Sequence, residues 1–542
     1  MNVSTTPGSG ERLRMLSVDN LVNQVTRNTE SPLSDVVLPS DFNFSLSDAN
    51  LLYNDLNDIV NSRLEEALTP TLRTYIEETS ANPFNTEFSS DFDETDRPGK
   101  DIIVNIPLDY FALGDPHNHY LAFYYHDFST TLSPLMPNIG LNPIRDVLLN
   151  YAKREPYLLY AILACGARTA FRKSSKIEDD QAYCSYLSSC LNILSENFSK
   201  ENLRTETVEP MLLTILLLTS DSASSKNTKW RAHLKGAKEL FKKINVQTDT
   251  INFCKNWVIG YEVLAGITNA YGGIFQSEND NLDKFISNDA GYIKSLKKLR
   301  MIDLHGFNYL NGHIIDLDLV FCQIIKILNK IRDYKKKQKQ GNLPIKSHLS
   351  SDLLPNIVTY ETIETLMIEL NNLQNREIIH KSGIIPHSNP NHPSKTSAFQ
   401  NFQSIQTITI NNEPITYSWY DISHQCHTIA AKLVLMTRIM EQPKTSILVQ
   451  SLVKQVLKFI EVLNQVENFD NVCITHLNFV IVLVGRSSIY PQDQELIRKF
   501  LKLGYSMGLE SCEHNLGKLE KKWANNNDDD TDEEEEEDVL TW

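Results

Sequence analysis

Apolar residues along this chain recur at helical spacing, block after block. From Glu155 to Arg172, Leu159, Ile162, Leu163 and Gly166 fall on one 3.6-residue period, and Pro156 sits in the first turn, where a missing N–H is harmless. Ala161, Ala164, Ala167 and Ala170 keep this helix slim, so it is expected to lie very close to a neighbour. The same spacing predicts helices over 120–132, 142–151, 177–197, 206–220, 227–244 and 249–271. Gly272-Gly273 closes the last of these, because glycine readily takes the left-handed geometry of a helix exit. Further helices are predicted over 313–334, 353–375, 417–440, 444–466, 469–485 and 491–510. Before them, IIVNIPLDYFALGDP reads as an extended arm or docking strand ending in a turn at Asp115-Pro116. No run shows sustained strand-type alternation, so the expected fold is all-α, a multi-helix domain.

Polar stretches divide these blocks. Residues 1–100 are expected to be largely disordered, with short helical possibilities at 16–26 and 50–77. Within them FSSDFDETD, Phe88 to Asp96, sets aromatics among carboxylates, the pattern of an activating segment or of an acidic spacer. The helical domain is expected over 101–375, a disordered insertion over 376–411, and further helices of the same body over 412–523. An acidic tail follows over 524–542, where an unbroken Asp/Glu block from Asp532 to Asp538 repels itself.

Hydrophobic residues make up 41% and charged residues 22% of the 542, the balance of a globular protein. Acidic side chains outnumber basic ones, 68 to 52, for a net charge of -16, which speaks against the body wrapping DNA by itself. Cys165, Cys184, Cys190, Cys254, Cys322, Cys426, Cys473 and Cys512 follow no paired spacing and sit mostly in apolar runs, as buried thiols of a reducing compartment do. The most apolar run, MLLTILLL at 211–218, is far short of the roughly 18 residues a membrane span needs. An intracellular protein with no membrane partner is expected.

Enzyme chemistry finds little support. The chain has no phosphate loop, no HExxH and no serine elbow, and no catalytic residue or resident cofactor is assigned. DISHQCH offers Asp421, His424, Cys426 and His427, with the histidines three apart on a helix; a zinc site needs more, and core histidines are the commoner reading, so no metal site is assigned. Glu262 is the one carboxylate in an apolar helix and is expected to pair with Arg168 or Arg231. Lys335–Lys339, KKKQK, reads equally as a nuclear-import signal and as the solvated end of a helix. Lys294, Lys297, Lys298 and Arg300 read as plain surface.

Four stretches carry a family resemblance: NPIRDVLL with PYLLYAILACGA (142–149 and 156–167), YCSYLSSCLNIL (183–194), MLLTILLLTS leading to WRAHLKGAKELF (211–220 and 230–241), and WVIGYEVLAGITNAYGG (257–273). Their order and spacing resemble the regulatory domain of fungal zinc-cluster (Zn2Cys6) transcription factors, in the branch of the lysine-biosynthesis and sterol-uptake regulators. GFNYLNGH at 306–313, before a lysine-ended helix, leans toward the lysine side of that branch. Trp230, Leu234, Ala237 and Leu240 share a face and are expected to pack the core. Family members carry an amino-terminal six-cysteine cluster holding two zinc ions, whereas here the first cysteine is Cys165. Zinc would belong only to a cluster upstream of this chain. A start downstream of such a cluster is favoured over a regulator that lost it or one that works through a partner.

The resemblance implies a nuclear regulator, an activator of RNA polymerase II transcription, acting on a metabolic pathway with lysine biosynthesis the leading candidate. Its expected partners are coactivators or the transcription machinery, promoter DNA through an upstream or partner module, a small-metabolite effector, and a second copy in a homodimer. The alternative is a helical scaffold or dimerisation protein of chromatin or centromere.

Overall fold

A computed structural model describes residues 106–136, 142–198, 205–224, 230–242, 244, 246–277, 280–339, 358–396, 402–525 and 539–541. The expectations for residues 1–100, including the Phe88–Asp96 segment, and for the Asp532–Asp538 block lie outside the described residues.

The described chain is built from helices, as the apolar spacing predicts. After a short 3-10 turn at Leu108–Phe111, where an extended arm was expected, and a turn at Asp115-Pro116 whose peptide is cis, α1 (His117–Phe123) runs through a π-helical turn, Tyr124–Phe128, into α2 (Ser129–Leu132). α3 (Pro143–Ala152) starts where Asn142 accepts the amide of Arg145 in its side chain. In α4 (Pro156–Ser174) every residue from Tyr157 to Ala170 is buried. The small-residue face predicted for it meets α1 very closely: a Cβ on Gly166 would sit 2.0 Å from the carbonyl oxygen of Tyr120. Only glycine allows the two backbones that approach.

α5 (Ile177–Phe198), α6 (Thr205–Ser224) and α7 (Trp230–Lys242) follow, and then α8 (Asp249–Thr268), capped by Thr248 and buried along almost its whole length. α8 packs against α6, against α10 (Ala290–Lys298), which follows the single turn of α9 (Leu282–Phe285), against α11 (Asp316–Lys339), and against α15 (Asn478–Ser487). It ends at Thr268, three residues before the predicted stop, and Gly272 with φ of 72° turns the loop beyond.

The last carbonyls of a helix have no partners within it. Here four arginines take them and the loop that follows. Arg332 of α11 donates to Gly266, Asn269 and Ala270, Arg438 to Ile267, Arg486 of α15 to Thr268, and Arg231 of α7 to Gly272 and Gly273. Positive charge at this end also matches the helix dipole.

Between α10 and α11, β1 (Phe307–Asn308) pairs antiparallel with β2 (His313–Ile314), turning the GFNYLNGH segment back on itself. α11 continues through Lys339, past the predicted stop, with Lys335, Lys336 and Lys337 exposed on it. α12 (Tyr360–Gln374) is followed by the segment expected to be a disordered insertion. Its described residues instead hold β3 (Ile384–Ile385) and β4 (Ile405–Ile410), which flank β5 (Glu413–Ser418) in an antiparallel sheet ordered β3-β5-β4. Asn411 and Asn412, both with positive φ, form the two-residue turn that such a hairpin requires. β5 leads directly into α13 (Trp419–Val434), which passes through a second π-helical turn, Leu435–Ile439. α14 (Ile447–Ile460), α15, α16 (Pro491–Ser506) and α17 (Glu510–Asn525) complete the order. The last predicted helix, 491–510, corresponds to α16, and α17 was not predicted; Gly508, with φ of 97°, makes the break between them. None of the described helices is long and apolar enough to cross a membrane.

Candidate functional site

A cavity of about 70 Å³ lies where α8, the β-hairpin turn, α13 and the 472–479 segment meet. α8 contributes Trp257, Gly260, Tyr261, Val263 and Leu264, and the hairpin turn contributes Leu310, Asn311 and His313. His427, Thr475, His476 and Phe479 line it too, and Thr131, Leu132, Pro134 and Leu509 complete the lining. Apolar walls with a few converging polar groups are the ordinary make-up of a small-molecule site.

Three imidazoles stand together there. The His313 and His427 ring centres are 5.3 Å apart, and those of His427 and His476 5.7 Å. Burial holds all three below the usual histidine range, His313 at about 3 and His476 at about 4, so they are uncharged at neutral pH. His427 Nδ1 donates to the Ser423 carbonyl at 2.8 Å, which leaves Nε2 as an acceptor. Gly312, with φ of 73°, lets His476 in: a Cβ there would lie 2.1 Å from Nε2.

Behind His313 lies Asp318, one oxygen 3.6 Å from His313 Nε2. Burial raises its carboxyl to about 8, so it is protonated at neutral pH. A polar scaffold fixes the hairpin turn beside it. Asn308 donates to Asn256 Oδ1 at 2.7 Å, Tyr292 donates to the same oxygen at 2.9 Å, and Asn308 Oδ1 accepts the amides of Leu310 and Asn311. The asparagines of the GFNYLNGH motif therefore shape one wall of the cavity.

The residues singled out in the sequence do not converge. His424 Nε2 lies 2.9 Å from the Leu373 carbonyl and its Nδ1 accepts the Ile314 amide, while His427 faces the cavity. Asp421 accepts from Ser418 Oγ at 2.6 Å and from the amides of Ile378, Ile379 and His380. Among the described residues no group of three or more His, Cys, Asp or Glu is placed to hold a metal ion. Glu262 meets no arginine directly, contrary to the expectation. It accepts the amides of Ile274 at 2.7 Å and Phe275 at 3.3 Å, because the side-chain-free Gly273 leaves its carboxylate room to reach them. Burial still raises it to about 7, against those amides and the nearby Lys238 and Arg231. Arg168 pairs instead with Asp221 at 2.8 Å and with the Tyr183 hydroxyl. His313, His476 and Asn311 were not picked out, since nothing in the sequence shows that residues so far apart share a cavity.

Trp230, Leu234, Ala237 and Leu240 are buried as a packed face of α7, and α4 and α8 carry their motif residues inward too. Residues 119–542 match the model of the fungal-specific transcription factor domain, and the chain belongs to that family. It is similar to the lysine biosynthesis regulatory protein LYS14 of Saccharomyces cerevisiae, with 35% identity over 518 residues, 91% of this chain and 64% of the relative. The chain thus spans less than two thirds of that relative's length. No solved structure matches the chain.

Proposed function

We propose that this chain is the regulatory body of a nuclear transcription regulator, an activator of RNA polymerase II transcription that controls a metabolic pathway, lysine biosynthesis. The likeness to a protein named for regulating lysine biosynthesis carries this reading. Promoter DNA is reached through a module other than this chain, whose overall net charge of -16 disfavours phosphate contact. Coactivators or the transcription machinery are the partners on the output side. The cavity between α8 and α13 supports a body that answers a small effector, since a ligand biases a two-state protein only through different affinity for the two states. No enzymatic step is assigned.

The test has two arms. In a strain lacking the gene, transcripts of lysine-biosynthetic enzymes are expected to fall and to recover on complementation. Fused to a foreign DNA-binding domain, the chain is expected to drive a reporter. Unchanged transcripts together with a silent fusion would overturn the activator reading and leave the helical scaffold in its place.

A further inference from the structure

The geometry points to the cavity between α8, the hairpin turn and α13 as a binding site for a compact, uncharged molecule of a few heavy atoms that carries both a hydrogen-bond acceptor and a donor. The inference rests on the effector-responsive reading above and adds what kind of molecule the body answers.

Size comes first. At about 70 Å³ the space is several times what one water needs, room for roughly five. Charge comes next. Among the described residues no Lys, Arg, Asp or Glu lines the cavity, and its three imidazoles are neutral. A carboxylate or ammonium entering it would lose its hydration with no counter-charge to replace it.

Hydrogen bonding then sets the functional groups. The Trp257 indole N–H leans toward the Tyr261 hydroxyl without closing a hydrogen bond, and Ser220 already takes that hydroxyl at 2.5 Å. The Asn311 side-chain amide, facing Asp318, likewise closes no hydrogen bond at either atom, and neither does His476 Nε2. Trp257 is 1% and Asn311 8% exposed. Buried polar groups left this way cost stability, so each calls for a partner, which a water or a small ligand in the cavity supplies. The indole and the amide offer donors, and the His427 lone pair offers an acceptor. A short amide or hydroxy-carbonyl compound answers both.

The test uses the purified full chain with the indole nitrogens of its five tryptophans labelled with nitrogen-15, the Trp257 signal being assigned with Trp257→Phe. Propionamide, propionate and propylammonium are near-isosteric and differ in charge. Propionamide is expected to shift the Trp257 signal saturably, and the two ions are not. Leu264→Phe, which fills the cavity from α8, is expected to abolish the shift; Thr475→Leu serves from the 472–479 segment if that variant does not fold. No shift with propionamide, equal shifts with all three probes, or a shift that survives filling would each overturn the proposal. Because binding is read without transcription, a negative result here leaves the reporter result standing, and a silent reporter leaves binding standing.

Discussion

Trp230 has no exposed surface, and its helix turns His233, Leu234, Ala237 and Leu240 inward with it. Trp230→Ala is expected to cost about 3–5 kcal/mol in urea unfolding, and parental stability would show that this face is not core. Asp421 holds three backbone amides and a hydroxyl, so Asp421→Ala is expected to cost roughly 2–3 kcal/mol, read in the same experiment. Asp318 gives a pH test. Its folded value of about 8 lies above the ordinary 3.8, so folding keeps a proton that the unfolded chain releases. Its contribution to stability is full below about pH 4 and is lost as pH rises through 8. Asp318→Asn removes that loss. Between pH 6.5 and 9, where the cavity histidines stay neutral, the gain in Tm of the variant over the parent is expected to grow with pH and flatten above 8. A gain independent of pH would mean that Asp318 is ionised in the fold. At this scale the sequence shows that Glu262 is buried but not what it meets. Its partners are backbone amides 12 and 13 residues on, and an amide carries no letter.

Among the elements, long amphipathic runs were readable and short strands were not. The predicted helix at 155–172 matches α4 within two residues, and its small residues foretold a close neighbour. The Tyr120 carbonyl at Gly166 makes that closeness testable: Gly166→Ala is expected to force α1 away and cost about 1–3 kcal/mol, with a fall in Tm as the readout. The sheet at 384–418 was missed for a physical reason. Ile408 and Ile410 are buried while Thr407 and Thr409 face out, an alternation too brief to stand clear of the polar residues around it. Asn411-Asn412 was the available signal, since asparagine tolerates the positive φ both positions adopt. Replacing the pair with Val-Val is expected to unpair β4 from β5, seen as faster amide exchange over 405–418.

For the molecule as a whole, family membership was legible because its motifs fill the helices that build the core, and core residues keep their spacing in any chain with this fold. The cavity was not legible. Its walls come from Thr131, Trp257, His313, His427 and His476, and only the packed body brings them together. No helical period links positions separated by about fifty residues or more.

The junction at the end of α8 has a consequence for how this protein comes into being. Arg438 and Arg486, which close the carbonyls of Ile267 and Thr268, lie 171 and 218 residues further along the chain. At ordinary rates of synthesis the ribosome needs on the order of ten to forty seconds to deliver the second of them. Throughout that interval the most central helix of the nascent chain stands with an unfinished end, however complete its own turns are. The newborn chain is therefore a natural client for chaperones until its last quarter emerges, and a chain cut short before Arg486 is left for proteolysis.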